Sequence, residues 1–94
     1  MPQFFYVYIL RSQRDGHLYI GSTTDLRARL QLQNTGEVTS TKSRWPLDLI
    51  FYEAYLNEYD AKRREQYFKS TKGKTTLRTM LKDFFNAVDS RDEV

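Results

Sequence analysis

Residues Phe4 to Arg11, reading FFYVYILR, are apolar on both alternating faces. Phe5, Val7 and Ile9 fall on one, and Phe4, Tyr6, Tyr8 and Leu10 on the other. A strand that packs on one side only alternates apolar with polar residues, so a run without that alternation has to be covered from above and below. This segment is therefore expected to be the central strand of a sheet with a packing layer on each face. The chain has 94 residues, a size that buries roughly 60–65% of the unfolded surface in one modest core and leaves no material for a second.

Asp15-Gly16 supplies a turn, and Leu18, Tyr19 and Ile20 continue as a second strand, forming an antiparallel hairpin that Gly21 is expected to end. Thr23 or Thr24 caps a helix from Asp25 to about Asn34, with an acid in its first turn. Residues 35–46, rich in Thr and Ser, read as a loop, and Leu47 to Tyr55 as the third strand. Asn57 caps a second helix from about Glu58 to Ser70. The KGK triplet at 72–74 breaks it before a third helix from about Thr75 to Asn86, whose stripe Leu77, Met80, Leu81, Phe84 and Phe85 faces the core. The order β-β-α-β-α-α predicts an α+β fold, a small three-stranded antiparallel sheet flanked by helices. One domain spans 1–86, and residues 87–94 form an acidic tail expected to fray.

Charge divides the chain in the same place. Residues 1–82 carry 14 Lys/Arg against 8 Asp/Glu, a net of +6, whereas residues 83–94 carry 1 against 4, a net of −3. A basic body attracts polyanions, of which phosphate backbones are the commonest. The absence of cysteine excludes disulfides and thiolate metal sites and agrees with a cytoplasmic location. No apolar run is long enough to span a bilayer, and no secretory leader is evident at the N-terminus, so membrane roles are not expected.

Some polar residues lie on apolar stripes. On the first helix, Arg29 and Gln33 share a face with Leu26 and Leu30. On the second, Glu65 is the one carboxylate on the line of Ala61 and Phe68, where it is expected to find a neighbouring Lys or Arg, because an unpaired buried carboxylate costs too much. Tyr8 and Tyr19 come from adjacent strands, and the helix carrying Arg29 begins where the second strand stops. The common catalytic and metal-binding signatures are missing, and His17, the only histidine, sits at the hairpin turn as a surface residue. Any chemistry falls to tyrosine, arginine and glutamate.

The YVY of Tyr6 to Tyr8, the YIG of Tyr19 to Gly21, Arg29 eight residues further on and Glu65 in a later helix together resemble the GIY-YIG endonuclease superfamily. The likeness runs from about Phe4 to Leu77. GSTTDLRARL, the T.K.RWPL loop, EAY and E..FK are most similar to the small stand-alone bacterial YhbQ-like members. The resemblance implies a metal-dependent endonuclease that hydrolyses DNA phosphodiester bonds with one divalent ion, Mg²⁺ or Mn²⁺, repair and recombination intermediates being substrates it admits. DNA would be the partner, with neither a membrane nor a small-molecule cofactor involved. It casts Tyr8, Tyr19 and Arg29 as catalytic, Glu65 as the metal ligand and Gly21 as a turn beneath the site. Arg27, Gln33, Thr41, Lys42, Arg44, Lys69 and Lys72 are the auxiliary or substrate-binding candidates.

The chemistry is coherent. A fixed guanidinium stabilises charge developing on phosphoryl oxygens, and a hard cation needs one protein carboxylate if water and phosphate complete its shell. Tyr19 is the general-base candidate, provided that a metal or cation assists the phenol. Where relatives usually place a tyrosine or histidine, one turn after the helix arginine, this chain has Gln33, and Leu77 stands where some branches have asparagine. A second reading is therefore kept, a nucleic-acid-binding module of the same fold that cuts weakly or not at all. A third is a protein-interaction domain. Glu65 favours the first, since a pure binder has no use for a carboxylate beside a phosphate.

Overall fold

The computed structural model describes residues 2–35, 38 and 42–92. Strands β1 (Phe5–Ser12), β2 (Leu18–Thr23) and β3 (Leu47–Tyr55) form one antiparallel sheet in the order β2-β1-β3. The doubly apolar segment is thus the central strand, as its composition requires. On one face Val7 and Ile9 are buried with Ala61 and Phe68 of α2 (Glu58–Lys69) and Leu77 of α3 (Thr71–Met80). On the other, Tyr8 and Leu10 are buried with Leu47, and Leu26 and Leu30 of α1 (Leu26–Gln33) close over them. The register shifts between Ile9 and Leu10, which pair with Phe51 and Leu49, so Ile50 is the extra residue of a bulge.

Gly16, at φ 74°, makes the hairpin turn. It is the only described glycine with a positive φ, and a side chain there would be strained. The fully buried Ser12 fastens this hairpin to the segment before β3. Its hydroxyl donates to the Arg44 carbonyl at 2.6 Å and accepts from the Arg14 N–H at 3.1 Å.

Several boundaries differ from the expectation. Strand β2 runs through Gly21 to Thr23, and the α1 cap is Asp25, whose carboxylate accepts from the Ala28 N–H at 3.0 Å. The KGK triplet lies inside α3 and breaks nothing. The break comes at Ser70, whose backbone N–H donates to the Tyr67 carbonyl to close α2, while its hydroxyl accepts from the Gly73 N–H to open α3. Gly73 is buried because α3 folds back onto α2, and a β-carbon there would occupy the place of the Tyr67 carbonyl. The expected third helix is two, α3 and α4 (Lys82–Asp92), separated at Leu81, which gives the order β-β-α-β-α-α-α. Of its stripe, Leu77 and Phe85 are buried, Leu81 and Phe84 are half-buried, and Met80 is exposed. α4 continues through Asp92 into the acidic segment. No helix among the described residues is long and apolar enough to cross a membrane.

Candidate active site

Tyr8 lies between Gly21 of β2 and Tyr52 of β3 in the register of the sheet. Tyr8 is 3% exposed, and its ring extends over Gly21 so closely that a β-carbon at that position would collide with the phenol oxygen and Cζ. Gly21 is therefore a space-making residue in mid-strand, and not the turn that the resemblance implied. Tyr19, two residues earlier on β2, is on the same face and packs against the Tyr8, Leu10 and Leu47 cluster.

The Tyr19 hydroxyl accepts a hydrogen bond of 3.0 Å from Arg44 Nη1, and its ring lies 5.1 Å from that of His17. Arg44 Nε in turn pairs with the Asp15 carboxylate at 3.0 Å. The His17 N–H, helped by Ser12 and Arg44, holds the Asp15 carboxyl below its ordinary range against the opposing effect of burial. Arg44, an auxiliary or substrate-binding candidate, is thus engaged by the hairpin and by Tyr19.

Glu65 reaches β2 from the other side of the sheet. Ser22 pairs with Val7 and shares its face, and its hydroxyl donates to Glu65 Oε1 at 2.7 Å. Lys69, one helical turn on, donates to Oε2 at 2.9 Å, and the glutamate side chain is 12% exposed. Burial pushes this carboxyl up, but the Lys69 and Ser22 hydrogen bonds and the Lys69 and Lys62 charges outweigh it and leave the group below its usual value. The cation that the apolar surroundings of Glu65 demanded is Lys69.

The expected pocket of two phenols, an arginine and a carboxylate is therefore arranged differently. Tyr8 and Tyr19 lie on the α1 side of the sheet, Glu65 lies on the α2 side, and they meet strand β2 at the consecutive residues Gly21 and Ser22. Arg29 is half-buried on α1, and among the described residues no hydrogen bond or ion pair engages its guanidinium. Gln33 is half-buried one turn later. Arg27 is exposed and lines a groove with Tyr6 and Tyr52. Lys42 and Lys72 are exposed, the first on a 3-10 turn (Lys42–Arg44) and the second in α3, and Thr41 lies outside the described residues. Ser22 and Asp15 were not anticipated. Strand alternation marked Ser22, since it falls on the face of Ile20, where a hydroxyl has to find a partner.

A third ionic group lies on the α2 face, at β3. Arg64 forks onto Glu53 with bonds of 2.9 and 3.2 Å, and its guanidinium lies 4.3 Å above the Phe68 ring. The Tyr55 hydroxyl donates to the same carboxylate at 2.7 Å. Burial, followed by the bond to Glu53 and its charge, pushes Tyr55 up to about 12.

Comparison with known proteins bears on this arrangement. Residues 4–78 match the GIY-YIG catalytic domain. A UPF0213 protein of Streptococcus agalactiae is 42% identical over 65 residues, which take in 68% of this chain and 73% of that protein. One from Pediococcus acidilactici is 35% identical over 77 residues, or 79% and 78% of the two chains. The solution NMR structure of a UPF0213 protein from Bacillus halodurans aligns with a TM-score of 0.53 at 32% identity, covering 82% of this chain and 84% of that one. With the family domain spanning most of its length and the three-stranded fold shared with a solved relative, this chain belongs to the GIY-YIG family, alongside the small bacterial UPF0213 proteins.

Proposed function

We propose that the protein is a divalent-metal-dependent endonuclease that hydrolyses phosphodiester bonds in DNA. Family membership supports the nuclease fold. The observation that carries the finer reading is the meeting of a buried phenol and a hydrogen-bonded carboxylate at two consecutive residues of the outer strand, Gly21 and Ser22. Neither glycine nor serine blocks a substrate from that rim. The half-buried guanidinium of Arg29, unengaged among the described residues, supplies the charge that a phosphoryl oxygen would neutralise.

Among the described residues no group of three or more His, Cys, Asp or Glu side chains could hold a cation alone, and in the proposed site Glu65 is the carboxylate that would hold it. Its donor chemistry fits Mg²⁺ or Mn²⁺. A carboxylate is a hard donor with lone pairs to spare beyond those used by Ser22 and Lys69, and Lys69 is on a flexible stem that can yield. A bound ion would polarise the phosphoryl group. The residues themselves do the rest: Ser22 orients Glu65, Arg44 fixes the oxygen of Tyr19 so that its proton points elsewhere, and Tyr8 orients substrate or water at the Gly21 rim. Tyr19 is the candidate base. Gln33, which cannot take up a proton at neutral pH, would position and not shuttle.

The test is to incubate the purified chain with branched, nicked, single-stranded and duplex DNA in Mg²⁺ or Mn²⁺. Metal-dependent products that disappear in Glu65→Ala, with folding and salt-sensitive DNA binding intact, are expected. Cleavage of comparable rate in that variant would remove Glu65 from the metal role. Binding without cleavage under any metal would leave the binding-module reading.

A further inference from the structure

The sheet face that carries Tyr8 continues toward the start of β1 as an aromatic floor that α1 covers only in part. Tyr6 and Tyr52 stand together there, ring centroids 6.0 Å apart and planes at 62°, and Phe4 lies 6.3 Å beyond Tyr6. Tyr52 is 51% exposed. The first turn of α1 faces these rings with Leu26 and Arg27, and together they enclose an open groove of about 380 Å³. A single exposed tyrosine is ordinary, but an aromatic cluster walled on one side by a helix is a shape with a ligand's dimensions.

The chemistry of the walls selects among ligands. Arg27 and the capping carboxylate of Asp25 both border the groove, so their charges offset each other and the side chains offer a phosphate no net positive charge. Flat rings, a guanidinium that stacks and forms hydrogen bonds, and a carboxylate acceptor suit a neutral heteroaromatic ring with donor groups at its edge. The position matters as much. Tyr8 stands between Tyr52 and Gly21 across the sheet, and Tyr6 is two residues from Tyr8, about 6.5 Å along the strand, so a ring lodged here lies on the far side of Tyr8 from the rim at Gly21, about two strand spacings or 10 Å away. Bases inside a duplex are stacked on each other and cannot enter such a groove.

We infer that the groove of Tyr6, Tyr52 and Arg27 stacks an unpaired nucleobase near the phosphodiester that is cut, so that the substrate is single-stranded at or beside the cleavage point. The inference rests on the nuclease reading for the identity of the ligand as DNA, and is tested apart from cleavage. Fluorescence anisotropy of a labelled oligothymidylate, the same strand with abasic sugars, and a duplex of equal length is measured with the full chain in chelator at fixed salt. The base-bearing single strand should bind tightest. Tyr52→Ala should weaken it by roughly 5- to 150-fold, the range for one stacked base, and Tyr52→Phe should retain most of the affinity. Abasic and duplex binding should be unchanged in both variants. Equal affinity for the base-bearing and abasic strands, or a loss in Tyr52→Ala shared by the duplex, overturns the proposal. Because no cutting is required, base-dependent binding without nuclease activity would sink the endonuclease reading and leave the groove, and cleavage with indifference to bases would do the reverse.

Discussion

Replacing Gly21 by alanine separates two accounts of that glycine by the sign of the effect. In a strand without a close neighbour, Gly→Ala removes conformational freedom from the unfolded chain and stabilises by about 0.4–1 kcal/mol. Here the new methyl group would fall on the Tyr8 phenol. The ring is the far end of a side chain and could in principle move, but it is 3% exposed and packed with Leu10 and Leu47. It can yield only by disturbing that packing, and overfilling of this kind costs about 1–3 kcal/mol. The clash outweighs the entropic gain over nearly all of those ranges. For a domain this size each kcal/mol lowers Tm by about 4–8 °C, so thermal denaturation followed by circular dichroism should show a fall of several degrees, accompanied, under the proposed function, by slower DNA cleavage as the Tyr8 hydroxyl leaves the Gly21 rim. In a Tyr8→Leu background the ring is gone and the same Gly21→Ala change should be neutral or stabilising, a coupling on the order of 1 kcal/mol or more. Gly21→Ala that melts at or above the parent, or that costs the same in both backgrounds, refutes the role assigned to the glycine.

Three further outcomes follow from the contacts. Gly73→Ala should destabilise more than Gly21→Ala, seen as a lower urea midpoint, because its methyl would meet the Tyr67 backbone carbonyl, which cannot rotate away; an unchanged midpoint would mean that α2 and α3 pack less closely. The lowered carboxyl of Glu65 contributes stability that is present above its unfolded value of about 4.5 and is lost as pH falls through the folded one, so the acid limb of a Tm–pH curve should be shallower in Lys69→Ala; an identical limb would discount the ion pair. Tyr55, raised to about 12, should give a late step in tyrosinate absorbance that Tyr55→Phe abolishes, with the associated stability present below the unfolded value near 10 and lost as pH climbs toward 12; ionisation of every tyrosine near 10 would contradict it.

The sequence disclosed what depends on pattern and hid what depends on proximity. Two-sided apolarity placed β1 at the centre of the sheet, the apolar run Leu47–Tyr55 gave β3 its bounds, and Asn57 announced α2. The apolar line of Ala61 and Phe68 signalled that Glu65 would need a neighbouring cation without naming it, and the four-residue spacing is what lets Lys69 supply it. Both misread glycines failed in the same manner. A glycine records that no side chain is present, but not whether the reason is a turn, a breaker or an approaching neighbour, and at Gly21 and Gly73 the neighbours are a ring from another strand and a carbonyl from another helix. Ser70 was hidden because one residue ends a helix and begins the next. The division of the candidate site was likewise invisible, since residue spacing does not say which side of the sheet each helix will cover.

That division has a consequence for how a nucleic acid would approach. With the tyrosines on the α1 face and Glu65 on the α2 face, no ligand descending on a single face of the sheet reaches all of them, and the place common to both is the outer rim of β2. An outer strand normally has to be protected against pairing with other chains, and here each residue of the Gly21-Ser22 step is already committed, one to the Tyr8 ring and the other to Glu65. A strand of DNA lying along that rim would have Lys62 and Lys69 beside the carboxylate on one side, and the Tyr6, Tyr52 and Arg27 groove on the other. Positive charge would then hold the backbone on the α2 side, while stacking would hold a base on the α1 side. Such a grip turns the phosphodiester across the edge of the sheet, which a flexible single strand can follow and a stiff, paired one follows at greater cost.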